Sequence, residues 1–100
     1  MKYIILPILA LLYSSLAFGQ NSFKAIIKDS ESKETLIGAT AVVKGTTNGS
    51  SADENGAIEI NNVPNGTQTI IFSYLGYQET KFIFSFPLSE TQPIAILLTK

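Results

Sequence analysis

Residues 36–77 decide the fold class of this chain, and they read LIGATAVVKGTTNGSSADENGAIEINNVPNGTQTIIFSYLGY. Glycine recurs here wherever a β-strand is expected to stop, and polar and apolar residues alternate in between. The clearest turn signals are Asp53-Glu54-Asn55-Gly56 and Pro64-Asn65-Gly66, since Asp accepts bonds from downstream amides and Pro presets φ. The stretch therefore predicts a small antiparallel sandwich whose register is set by its turns.

The same alternation continues on both sides of this stretch. In the longest alternating segment, Ile70, Phe72 and Tyr74 share one face, which predicts that they belong to the core. No window after residue 20 has a capped apolar period of 3.6 residues, so no helix is predicted there. Residues 45–51, rich in Gly, Thr, Asn and Ser, are predicted to be a loop. Six or seven short strands indicate a β-sandwich, with strands predicted at residues 23–28, 39–44, 58–63, 67–75, 81–86 and 94–99.

The first nineteen residues have the layout of a secretory signal peptide. Lys2 precedes an apolar run that Pro7 interrupts, and Ala17 and Gly19 supply small residues at positions −3 and −1. A membrane anchor is the alternative, but the run is shorter than the ~20 residues that a comfortable span requires. We therefore expect residues 1–19 to be removed on export, and residues 20–100 to form one domain without a transmembrane span.

Composition narrows the possible chemistry. Residues 20–100 contain six lysines against eight acidic residues, a net charge of −2, so no basic face for nucleic acid is expected. Arginine, histidine, tryptophan and cysteine are absent from the chain. Their absence rules out disulfides, a lipidated cysteine, Ser-His or Cys-His catalysis and the usual zinc ligands. The composition therefore predicts a protein that is not an enzyme and has no cofactor.

Short motifs in fixed order resemble the carboxypeptidase regulatory-like domain, a transthyretin-like β-sandwich. Asp29 ends the first strand as in that family, whereas Thr35, Ala52 and Ile58 depart from its usual Pro, Thr and Phe. The resemblance covers residues 23–100 and implies an all-β, seven-stranded antiparallel transthyretin-like or Ig-like β-sandwich. The matching motif residues, to which we assign a structural role, are Gly38, Ala39, Gly45, Thr46, Asp53, Gly56, Tyr74, Gly76 and Tyr77.

The resemblance also implies a setting. Domains of this type extend the N-terminus of TonB-dependent outer-membrane receptors or accompany metallocarboxypeptidase domains, and they carry no chemistry themselves. We accordingly expect an exported accessory domain in the periplasm or at the outer membrane or cell surface of a Gram-negative bacterium. It would be either stand-alone or the front piece of a receptor, with an envelope protein or a receptor barrel as partner. The alternatives are a carbohydrate-binding module and a folding or regulatory domain of a metallocarboxypeptidase.

Two groups of acidic residues are candidate sites. Asp53, Glu54 and Asn55 could be part of a calcium loop, but Glu59 follows too soon to be the distal bidentate ligand. Glu31 and Glu34 could form a glycosidase pair, but they lie in a polar loop rather than across a cleft. A backbone-capping turn and a solvated loop are therefore predicted instead, with no catalytic, cofactor-binding or metal-binding residue.

Two aromatic or apolar features could bind a partner. Tyr74 and Tyr77 flank Gly76 and could stack against a sugar, although the phase of Tyr74 favours the core. The last predicted strand, residues 94–99, is apolar on both faces. Because an uncovered edge strand can accept another strand, this strand or its neighbour at residues 81–86 is predicted to be covered or to form the association surface.

Overall fold

Seven strands arranged in two sheets make up the fold. The computed structural model describes residues 21–100, so the predicted signal peptide lies outside the described residues. Within them no helix is present, and hence none that could cross a membrane. The strands are β1 (Asn21–Asp29), β2 (Thr40–Val43), β3 (Gly49–Ser51), β4 (Ala57–Val63), β5 (Gly66–Ser73), β6 (Thr80–Phe86) and β7 (Ile94–Leu98).

The two sheets have the strand orders β4-β1-β7 and β3-β2-β5-β6. The predicted all-β, seven-stranded sandwich is therefore confirmed, with one correction to its antiparallel topology. β1 and β7 pair in parallel, whereas the other strand pairs are antiparallel. A tight hairpin forces antiparallel pairing only between strands that follow one another in the chain. β7 instead reaches β1 after β6, which belongs to the opposite sheet, so this constraint does not apply.

β3 corrects the prediction that residues 45–51 form only a loop. It pairs with β2 through Gly49 and Val42, and a Cβ built on Gly49 would lie 2.6 Å from the Ala41 carbonyl oxygen. This close approach suits glycine alone. The sequence of β3, Gly-Ser-Ser, contains no apolar residue, so no alternation was present from which a strand could be predicted.

The core lies between the sheets and follows the predicted phase of each strand. Small residues let the sheets approach, because Ala25, Ala39 and Ala41 are fully buried. Phe23 lies among aromatic rings of the opposite sheet, with its centroid 5.0 Å from that of Phe84. The larger fully buried side chains are Phe23, Phe72, Ile27, Ile58, Ile60, Ile70, Leu98, Val43 and Val63.

The two lateral sides of the sandwich differ. On one side β3 and β4 contact each other, and the Asn48 amide donates to the Asn61 carbonyl at 2.8 Å. On the other side, β6 and β7 are the edge strands of different sheets and are not hydrogen-bonded neighbours. This second side carries exposed apolar residues, namely Phe82 at 37%, Leu97 at 41% and Ile83 at 71%. The predicted strands at residues 81–86 and 94–99 are thus both edge strands.

Candidate functional site

One carboxylate is buried among the described residues, and it lies at the end of β1. Asp29 is 7% exposed. Its Oδ1 accepts hydrogen bonds from the Glu31 and Ser32 amides at 2.7 and 3.0 Å, and its Oδ2 accepts one from the Tyr77 hydroxyl at 2.5 Å. The side chain therefore caps the loop that follows β1 and also joins it to the segment between β5 and β6.

Tyr77 is positioned by a tight turn after β5. Its amide donates to the Tyr74 carbonyl at 3.0 Å, and Gly76 between them has a φ of +87°, which glycine adopts without strain. The Tyr74 and Tyr77 rings lie 5.5 Å apart, and the Lys100 ammonium lies 5.7 Å from the Tyr77 centroid. The next amide, that of Gln78, donates to the Thr99 carbonyl just beyond β7 at 2.8 Å. This turn ties both sheets together at one end.

The hydrogen bond between Asp29 and Tyr77 shifts the pKa values of both side chains further from neutral pH. The Tyr77 hydroxyl, aided by the Ser32 and Glu31 amides, lowers the pKa of Asp29 to about 2. The same bond raises the pKa of Tyr77 to about 12. A general acid or base works best when its pKa lies near the working pH. This pair is therefore unsuited to proton transfer at neutral pH and has the properties of a structural joint.

A cavity of about 250 Å³ opens beside this joint. Glu31 and Glu34 lie on its wall, where both are exposed. The Asp29 oxygens already have protein partners, and Lys100 is the one cation among the lining residues. Among residues 21–100, no group of three or more acidic side chains is arranged to hold a metal ion.

The Asp53 turn has its carboxylate directed at the backbone. Oδ1 of Asp53 accepts from the Asn55 and Ala57 amides at 2.8 and 3.0 Å. Gly56 completes the turn with a φ of +75°, and its carbonyl accepts from the Ile27 amide at 2.9 Å. This geometry anchors the turn against β1.

The other motif residues lie around β2. Gly38 and Gly45 have positive φ on either side of the strand, and Ala39 is buried. The Thr46 hydroxyl donates to the Val43 carbonyl at 2.7 Å and accepts from the Asn48 amide at 3.0 Å. The motif residues are thus distributed over four turns and do not converge on one cleft.

A second feature lies on the outer face of the three-stranded sheet. The register places Ile26 of β1 between Ala57 of β4 and Ala95 of β7, and it places Leu97 beside Lys28. We call Ile26, Ala57, Ala95 and Leu97 the outer patch. It is apolar across three strands, and a shallow cavity of about 300 Å³ borders it, lined in part by Lys24, Glu59 and Pro93.

Sequence reasoning missed the pairing of Asp29 with Tyr77, because 48 residues separate them. The polar loop directly after Asp29 was a local signal for a carboxylate that caps the backbone. No comparable local signal indicated its tyrosine partner. The outer patch was anticipated only in part, through the apolar residues of the last strand.

The geometry defines a two-sheet, Ig-like β-sandwich domain with tightly capped turns. A sequence model of the CarboxypepD_reg-like domain family matches residues 26–100, and the chain belongs to this family. The resemblance stated from the motifs is thereby confirmed.

A solved structure agrees with this fold. One chain in the crystal structure of a type II cohesin-X-dockerin complex from Acetivibrio cellulolyticus, an N-terminal interface mutant, is similar, with a TM-score of 0.59 and 21% identity. The match covers 78% of this chain and 56% of that chain, and at this identity it shows the fold alone. No curated protein matches the chain.

Proposed function

We propose that this domain is a non-enzymatic, exported accessory domain that binds another envelope protein. The observation that carries the proposal is the outer patch. Its residue Leu97 is 41% exposed and lies on β7, an edge strand of the three-stranded sheet. Apolar residues surrounded by charged ones are the usual anatomy of a protein interface. Here Lys24, Lys28 and Glu59 surround the patch.

The roles of two aspartates within residues 21–100 agree with this proposal. The carboxylate of Asp29 accepts three hydrogen bonds, which lower its pKa to about 2 and keep it ionised at neutral pH. The carboxylate of Asp53 is occupied by backbone amides. Aspartates that stabilise turns in this way fit a domain that binds another protein better than one that catalyses a reaction.

The carbohydrate-binding alternative has less support. A sugar-stacking platform needs an accessible aromatic face. Tyr77 is half-buried, its hydroxyl is bonded to Asp29, and Lys100 lies over its ring. Tyr74 packs against the core.

The setting we propose is the periplasm or outer-membrane surface of a Gram-negative bacterium. There the domain would act alone or as the N-terminal extension of a TonB-dependent receptor, with a metallocarboxypeptidase neighbour as the alternative. Reading the gene beyond the codon for Lys100 tests the receptor arrangement. An in-frame plug and barrel are the expected result for a receptor, and a peptidase domain would contradict it.

The contact itself is tested with a substitution in the outer patch. The full chain, purified after export, is immobilised and exposed to envelope extract, and Leu97→Glu is compared with the wild type. Thr67→Glu, an exposed position on the other sheet, is the matched control. We expect Leu97→Glu to reduce capture of a discrete partner by about tenfold or more and the control to retain it.

Two results would contradict the proposal. One is equal capture by both variants. The other is oligosaccharide binding that Tyr77→Ala abolishes, which would favour the carbohydrate-binding alternative. Peptidase and glycosidase assays on the same sample are expected to be negative.

A further inference from the structure

The described part of the fold has four sheet edges, and one of them lacks the usual protection. β3 is only three residues long. β4 lies against β3, and the pairing of β4 with β1 contains a register shift. β7 has five residues, and the carbonyl just past its end accepts from Gln78. β6 has seven residues, pairs with β5 without a bulge, contains no proline and carries a single charged residue, Lys81 at its N-terminal end. Natural edges are normally blunted by such devices, so β6 is the open one.

The direction of the β6 backbone follows from the neighbouring pairs. The Lys44 amide donates to the Thr69 carbonyl at 2.8 Å, so the backbone of Thr69 faces β2. Thr69 pairs with Ile83. In an antiparallel ladder the backbone groups of Ile83 must then face away from β5. The same alternation turns Lys81 and Ser85 outward, and no hydrogen bond from the described residues reaches the backbone of these three.

We propose that β6 pairs with β6 of a second copy of this chain, antiparallel and centred on Ile83. In this register Ile83 faces its symmetry mate, and Lys81 faces Ser85 of the other copy. The three outward residues of each strand then exchange six backbone hydrogen bonds. The result is one continuous eight-stranded sheet from the two four-stranded sheets.

The sequence of β6 favours this register over its neighbours. A shift by two in one direction would set Lys81 against Pro87, which has no amide hydrogen to donate. The opposite shift would set Ser85 against Glu79, which lies outside the strand. The centred register uses all three outward residues and places no like charges opposite each other.

Side chains on the inner face favour a second copy as the occupant. In the centred register Phe82, 37% exposed, lies opposite Phe84 of the other copy. These residues already form an aromatic ladder along β6, with centroids 6.2 Å apart for Phe82 and Phe84. Cross-strand aromatic pairs stabilise sheets, and pairing would also cover Ile83. The β6 edge belongs to the four-stranded sheet, whereas the outer patch lies on the outer face of the three-stranded sheet, so the inference goes beyond the proposed function.

Cysteine cross-linking tests the register directly, because the chain has no cysteine of its own. Facing residues in a hydrogen-bonded pair have Cα atoms about 5.5 Å apart, within the range that a disulfide accepts. We expect Ile83→Cys to form a disulfide-linked dimer on mild oxidation. Ser85→Cys is the matched control, since the two copies of residue 85 would lie roughly 13 Å apart along the strands.

Association in solution is measured on the purified full chain by sedimentation equilibrium. The expected weight-average mass rises with concentration towards twice the monomer mass. Ile83→Lys, at a position 71% exposed, places like charges face to face and should raise the dissociation constant by about tenfold or more. Thr47→Lys, at an exposed position in the loop between β2 and β3, should leave dimerisation unchanged, and circular dichroism should show both variants folded.

The outcomes separate this inference from the proposed function. Cross-linking of Ile83→Cys alone, with a concentration-dependent dimer, supports the pairing. A monomeric wild type, or cross-linking through Ser85→Cys, would overturn it. A monomer that still captures an envelope partner through Leu97 would overturn the pairing while leaving the contact function intact.

Discussion

β5 and β6 lie side by side in one sheet and show the same alternation, yet they differ in burial. Ile70 and Phe72 of β5 are fully buried, whereas on β6 Phe86 is buried, Phe84 is half-buried and Phe82 is exposed. β5 has a paired strand on each side, and β6 has one. Alternation therefore specifies which face of a strand turns inward, and the number of neighbours determines how far it is buried.

The sharpest test of this comparison replaces one phenylalanine from each strand. Phe72→Ala is expected to lower the free energy of unfolding by about 3–5 kcal/mol, because it removes a fully buried ring and leaves a cavity. Phe82→Ala should cost less than half as much, since its ring is already partly in water. Urea denaturation of both variants measures the difference, and equal losses would mean that β6 is buried as deeply as β5.

A second pair tests the two faces of β5 itself. Ile70→Ala should cost about 2–5 kcal/mol. Ile71→Ala, one residue away on the outer face and half-buried, should cost about 1 kcal/mol. Chemical denaturation is again the measurement. If Ile71→Ala were the more damaging change, the inward and outward assignment of β5 would be reversed.

Two glycines extend the comparison to turns in which φ is similar but the surrounding atoms differ. Gly56 and Gly45 have φ of +75° and +83°. Alanine at either costs about 1–2 kcal/mol for positive φ. At Gly56 the new Cβ would also lie 2.7 Å from the Thr35 Cβ, whereas at Gly45 nothing lies within 4 Å. Overpacking should therefore add about 1–3 kcal/mol at Gly56 alone, and indistinguishable melting of the two variants would argue against its close packing with Thr35.

The smallest expected effect concerns pH. The folded pKa of Asp29 is lowered from 3.8 to about 2, so its contribution is present above pH 3.8 and is lost as the pH falls towards 2. The folded pKa of Tyr77 is raised from 10.0 to about 12, so its contribution is present below pH 10 and is lost as the pH rises towards 12. Melting temperatures measured across this range should decline at both ends.

Tyr77→Phe is expected to weaken both declines, because it removes the titrating hydroxyl and the largest influence on Asp29. Tyr74→Phe is the matched control, since its hydroxyl has no hydrogen-bond partner among residues 21–100. A wild-type profile that is unchanged by Tyr77→Phe would mean that the bond to Asp29 does not persist in solution.

Local patterns predicted much of the architecture. The phase of Phe23, Ile58 and Ile70 identified the buried face of three strands, because side chains alternate with period two along any strand. The Asp53 turn was predicted for a similar reason, since its hydrogen bonds span only two to four residues. The family resemblance came from such turns, whose residue types follow from local backbone geometry.

What the sequence could not determine depends on residues far apart in the chain. The parallel pairing of β1 with β7, the short β3 and the bond between Asp29 and Tyr77 join segments without a shared local signal. The degree of burial also depends on the packing of the sheets, because strands with the same apolar alternation are central and buried in β5 but at an open edge in β6. Sequence by itself determined the local conformations and inward faces, since these arise from short-range sterics and hydrogen bonds. Only the tertiary structure decided which strands have neighbours on both sides, because that choice depends on how the two sheets pack.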